Sequence, residues 1–123
     1  MKLTQRGFSL IETMLSVSIL LIVIIAAVLA IISSTFLIES SRNLVTASND
    51  AQYVLEQIKT QSFSNIQAYV LNYPSAGFSN LPEESVSFPN PVYTANLATI
   101  NVQITWSERN ATRTFSITTR FAQ

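Results

Sequence analysis

The sequence predicts an α+β chain in which one long N-terminal helix carries a small antiparallel β-sheet on its second half. Three features predict it. Residues 13–32 form an apolar run whose only polar members are Thr13, Ser16 and Ser18. No glycine or proline occurs between positions 8 and 73, so nothing interrupts a helix there. Near the C-terminus two segments alternate apolar and polar residues with period two, the pattern of half-buried strands.

Composition narrows function before any motif is read. The 123 residues amount to a single domain's worth of chain. Seven basic and seven acidic side chains leave it formally neutral, and a charged fraction of 11% is well below the roughly 25% of an average soluble domain. Cysteine and histidine are both absent, which removes disulfides, thiolate metal sites, cysteine nucleophiles and the commonest general base. With only Gly7 and Gly77, no glycine loop is available to cradle a phosphate. The sequence offers no nucleophile–base pair, metal cluster or cofactor motif. It therefore reads as a non-enzyme with no catalytic residue, metal or cofactor.

At about 1.5 Å per residue, residues 13–32 make about 30 Å of helix, the thickness of a bilayer's hydrocarbon core. Lys2 and Arg6 precede the run, so the positive-inside rule puts the N-terminus in the cytoplasm and the C-terminal part across the membrane. A secretory signal is the competing reading. Such a signal has an apolar region of about 7–15 residues and a small-x-small cleavage site after it. This run is longer, and Ala26, Ala27 and Ala30 are wrongly spaced for such a site.

The helix is expected to continue over residues 36–63. Leu44, Ala47, Ala51, Val54, Leu55 and Ile58 recur at spacings of three and four, one apolar stripe of an amphipathic helix. Arg42, Asn43, Asn49, Asp50, Glu56 and Lys59 are assigned mostly to the other faces. The stripe is a core face, and it should receive the sheet.

Residues 64–97 read as an irregular connection, because Gly77 and all four prolines fall there. Within it, Ile66, Tyr69, Val70 and Tyr73 suit a short helix packed on the long one. Val86, Ser87 and Phe88 suit an edge strand. Glu83 and Glu84 form the only acidic doublet. Partners for calcium at loop spacing are not evident, so both are assigned to solvated surface.

Residues 98–123 give the clearest β signal. Ile100, Val102, Ile104 and Trp106 alternate with Asn101, Gln103 and Thr105. Phe115, Ile117, Thr119 and Phe121 alternate with Ser116, Thr118 and Arg120. Residues 107–111 are assigned to the loop of an antiparallel hairpin, with Trp106 as a core anchor. A hairpin alone is marginally stable, so it must pack on the helix. Asn110-Ala111-Thr112 matches the short glycosylation sequon.

One charge is out of place. Glu12 is the only charged residue between positions 7 and 38. A carboxylate at the centre of a membrane helix costs roughly 2.5–3.5 kcal/mol, and less near an end. An interfacial position explains how Glu12 is tolerated. It does not explain why a glutamate stands there. The motif around it does: Gly7-Phe8-Ser9-Leu10-Ile11-Glu12 follows a short basic leader and precedes the apolar run. This order of features resembles the prepilin signature of the type IV filament superfamily, which includes type IV pilins, competence pilins and the pseudopilins of type II secretion. The resemblance covers about residues 1–32. A weaker one links the strand pattern around Val102, Ile104 and Trp106 to the sheets of small minor pilins and pseudopilins.

The resemblance implies a division of the chain. Residues 1–7 would be a leader cut off by a prepilin peptidase between Gly7 and Phe8. Residues 8–35 would be the membrane anchor and later the filament core. Residues 36–63, 64–97 and 98–123 would form the exposed amphipathic helix, connection and hairpin. Phe8 would become the N-methylated N-terminus. Glu12 would pair with that amine on a neighbouring subunit. The implied partners are the peptidase, other pilin or pseudopilin subunits, an inner-membrane assembly platform and membrane lipid. The chain departs from many major pilins in lacking a helix-breaking Pro or Gly in the apolar helix. That favours a minor subunit, in an inner-membrane protein with its C-terminal part outside the cytoplasm. Two alternatives stay open. One is a competence-type pilin contacting DNA through Arg109, Arg113 and Arg120, although three arginines are few for tight nucleic-acid binding. The other is a single-span anchor of unrelated role.

Overall fold

The computed structural model describes residues 9–123. Its elements are α1 (Leu10–Lys59), a 3₁₀ turn (Phe63–Asn65), α2 (Ile66–Leu71), β1 (Ser85–Ser87), β2 (Val92–Tyr93), β3 (Leu97–Glu108) and β4 (Ala111–Ala122). The fold class is the α+β arrangement expected from the sequence. The chain divides into two compact units at Glu39 and Ser40, so α1 gives its first 30 residues to one unit and its last 20 to the other.

In the first unit every described residue is exposed. The segment is rich in β-branched Ile and Val, yet no glycine or proline interrupts it and its hydroxyls turn back onto the helix. Thr13, Ser16 and Ser18 donate to the carbonyls of Leu10, Glu12 and Met14 at 2.8 Å. Ser34 and Thr35 donate to those of Ala30 and Ile32 at 2.9 and 2.8 Å. Each of these side chains is therefore satisfied within the helix, which is compatible with a membrane-spanning segment.

The second unit has a conventional core. Ala47, Ala51, Val54 and Ile58 are fully buried on α1, at spacings of four, three and four. They face Ala98, Ile100, Val102, Ile104 and Trp106, the alternate residues of β3. Ile66, Val70, Leu81 and Val86 complete the cluster. The buried face of α1 differs from the predicted stripe at two places. Leu44 remains 47% exposed, and Asn43 and Asp50 turn inward instead. With 3.6 residues per turn, positions 43, 47, 50, 51, 54 and 58 share one face.

The sheet is antiparallel and built on β3. β4 pairs along one edge of β3 in the register Val102↔Ile117 and Ile104↔Phe115, which sets Phe115, Ile117 and Phe121 half-buried on the core side. β1 and β2 share the other edge, β1 opposite residues 103–105 and β2 opposite residues 98–99. The predicted edge strand is thus present one residue earlier, with Phe88 outside it, and β2 was not foreseen. The hairpin turn is also tighter than the predicted loop over 107–111. β3 runs to Glu108 and β4 resumes at Ala111. Arg109 and Asn110 alone make the turn, with φ of 52° and 62°, the left-handed pair that matches strand twist in two-residue hairpins.

Candidate functional site

The charge that singles out the N-terminal region sits in the first turn of α1. The Ser9 carbonyl accepts hydrogen bonds from the amides of Glu12 at 2.9 Å and Thr13 at 3.1 Å, so Ser9 occupies the N-cap position. Glu12 is then the third helical residue, where the helix dipole favours a negative charge. Ser9 and Glu12 have the Ser-x-x-Glu spacing of a capping box. That spacing is legible in the sequence. Beyond Thr13 the helix presents apolar side chains on every side: the consecutive residues Leu20, Leu21, Ile22 and Val23 are all more than half exposed. Among the described residues, α1 alone is long and apolar enough to cross a membrane. Gly7 and Phe8, the expected cleavage and methylation positions, lie outside the described residues.

Three polar clusters occupy the second unit; sequence reasoning missed the first two, and of the third it foresaw the short helix packed on the long one but not the role of Gln57. The first surrounds Glu108, which is only 6% exposed at the end of β3. Its Oε2 accepts from the Asn43 amide and the Trp106 indole N–H, both at 3.3 Å. Burial pushes the Glu108 carboxyl up. The hydrogen bonds from Asn43, Trp106 and Ser40, with the Arg113 charge, outweigh it and hold the group below its ordinary value. Placing Glu108 in a loop hid this role. The alternation of β3 continues one residue pair further than its apolar members.

The second cluster joins Asp50 to the loop before β1. Asn80 Nδ2 donates to both carboxylate oxygens of Asp50, at 3.0 and 3.2 Å. The backbone amides of Asn80 and Leu81 donate to Glu84 Oε2 at 3.0 and 3.2 Å. Glu84 Oε1 is buried and has no hydrogen-bond partner. Burial raises the Glu84 carboxyl above its ordinary value; the amides of Leu81 and Asn80 oppose that rise, and Asp50 adds to it. Glu84 is therefore not the solvated side chain expected from the sequence, whereas Glu83 is exposed. Among the described residues, no group of three or more acidic side chains gathers to hold a metal.

The third cluster is Gln57 with two tyrosines. Its Oε1 accepts from the hydroxyls of Tyr69 at 3.2 Å and Tyr73 at 3.3 Å, which fastens α2 to α1. Burial raises the Tyr73 hydroxyl's pKa, with smaller contributions from Tyr69 and Tyr53. A groove of about 610 Å³ opens beside these rings, lined also by Gln61, Asn65 and Asn72. The arginines offered for DNA are not brought together. Arg109 is in the hairpin turn and Arg113 is near Glu108. Arg120 is seven residues further along β4, about 23 Å at strand rise.

Residues 2–35 match the family model of the prokaryotic N-terminal methylation motif. Neither the curated proteins nor the solved structures contain a match to the chain. The matched segment takes in the basic leader, the Gly-Phe-x-x-x-Glu sequence and the apolar run, so the chain carries a type IV pilin-like prepilin signature on an α+β pilin-like layout.

Proposed function

We propose that the protein is a minor structural subunit of a type IV pilus-like filament, either a type II secretion pseudopilus or a type IV pilus. In this reading the chain waits in the inner membrane as a single-pass protein with its N-terminus in the cytoplasm. A prepilin peptidase cuts between Gly7 and Phe8, leaving 116 of the 123 residues. The new Phe8 amine is methylated and stays cationic, since its reference pKa is about 7.7–8.0. Phe8 and Glu12 are one turn apart on one helix face. In a stack of parallel helices, the Glu12 carboxylate of one subunit meets the Phe8 amine of the next. In low dielectric such a pair resists loss of either partner far more than a surface pair does, which fixes the axial register of the incoming subunit. Other pilins or pseudopilins and an inner-membrane platform are its partners, and no catalytic role is assigned.

The observation that carries this reading is the methylation-motif match over residues 2–35, with Glu12 as the sole charge of the apolar helix that follows. Mass spectrometry of the protein purified from its own cells tests it. The expected N-terminus is methyl-Phe8. A mature chain that still begins at Met1 overturns the reading.

A further inference from the structure

We propose that Asn110, in the turn between β3 and β4, is a glycan acceptor: its side-chain amide receives an oligosaccharide from a lipid-linked diphosphate donor on the far side of the membrane. The inference rests on the reading above in one respect, that the C-terminal part lies outside the cytoplasm, and goes beyond it.

The place of the motif on the fold supplies the first argument. Of the nine asparagines, Asn110 alone has a serine or threonine two positions on, Thr112, with alanine between. The fold puts that one sequon where a large hydrated group fits. Arg109 and Asn110 make the whole turn, and Asn110, Ala111 and Thr112 are all exposed. Neither the Asn110 nor the Thr112 side chain is committed to a hydrogen bond among the described residues. By contrast, the amides of Asn43, Asn72 and Asn80 already donate within the fold. The left-handed φ of 62° is met without strain by glycine, so backbone geometry alone does not call for a side-chain amide at position 110.

Spacing supplies the second argument. Glu108, Asn110 and Thr112 stand two residues apart, so an extended segment shows a carboxylate, the acceptor amide and a hydroxyl on one face. An enzyme that binds the extended chain can read all three. In the fold Glu108 is turned inward, 6% exposed, and the turn breaks the shared face. Transfer therefore precedes docking of the hairpin on α1, while the last segment of the chain is still open. The chemistry balances without a redox partner. The Asn110 amide nitrogen attacks the anomeric carbon of the donor. An N–C bond forms, the C–O bond to the diphosphate breaks, and the lipid diphosphate leaves with that electron pair. The amide gives up one proton to a base of the transferase. Once the hairpin has closed, the sugar stays in solvent beside the turn and disturbs no core contact.

Mass spectrometry of the protein purified from its own cells tests the proposal. Cleavage after glutamate releases residues 109–123 as one fragment, which contains no acidic residue and a single asparagine. That fragment should carry a saccharide mass increment, and its fragmentation should place the increment on Asn110. Asn110→Gly keeps the turn and removes the acceptor, so the increment should be lost. Thr112→Val should abolish it, and Thr112→Ser should retain it. An increment that survives Asn110→Gly lies on a hydroxyl and overturns the assignment to Asn110. An unmodified fragment overturns the inference, and the N-terminus of the same sample shows whether the filament reading falls with it: methyl-Phe8 keeps that reading and Met1 defeats it.

Discussion

Asn43 on α1 donates its side-chain amide to the Glu108 carboxylate at the end of β3, across 65 positions of sequence. The pair closes the polar end of an otherwise apolar helix–sheet interface. Because the Glu108 pKa is held below its unfolded value, its contribution is present above the ordinary carboxylate range. It is lost as pH falls through the depressed folded value. Glu108→Gln should lower the melting temperature at neutral pH and flatten the acid side of the stability profile. Thermal melts of detergent-solubilised protein across pH check both effects.

Glu84 should behave with the opposite sign. Its folded pKa is raised, so its contribution is complete below the unfolded value and is lost as pH rises through the folded one. Glu84→Gln, which removes the charge facing Asp50, should stabilise the fold at neutral pH by about 0.5–1 kcal/mol. The gain should vanish in acid. A urea titration at two pH values reads it.

Gly77 is the other half of that loop. A Cβ at this position would lie 2.6 Å from Glu84 Cγ and 3.0 Å from its Cβ. Gly77→Ala must therefore displace the Glu84 side chain near its root, at about 1–3 kcal/mol. The same substitution in a Glu84→Ala background should cost less, and a double-mutant cycle measures the difference.

The two halves of α1 should respond differently to truncation. Ile58→Ala empties a fully buried site and should cost about 2–5 kcal/mol. Ile24→Ala removes a side chain that is half exposed in the first unit and should leave the melting of the second unit unchanged. Its effect should appear in membrane retention or filament incorporation instead.

Glu12→Ala should leave membrane insertion intact and sharply reduce incorporation into filaments. Fractionation of cells into membrane and sheared filaments separates the two steps. Normal incorporation of this variant removes the pairing role from Glu12.

What the sequence revealed was the part written in apolar periodicity. The unbroken stretch before Pro74, the 47–51–54–58 face and the alternation through Ile104 and Ile117 each repeat one physical preference many times. The polar residues of the core were not legible in the same way. Asn43 and Asp50 share a helix face with alanines, but only Glu108 and Asn80, distant in the chain, give them a reason to turn inward. β2 has two residues and no periodicity to detect. The Ser9–Glu12 spacing is a local signal, but four residues carry it once, without the repetition that marks the apolar faces.

β4 has a consequence of its own. It pairs only with β3, so among the described residues its outer edge, twelve residues long, has no strand beside it. Such an edge is a template for any extended chain that drifts past, including a second copy of itself. Arg113 and Arg120 are spaced along it, and charged side chains on an edge strand oppose such pairing. Before assembly, those two guanidinium groups guard the edge against premature self-pairing.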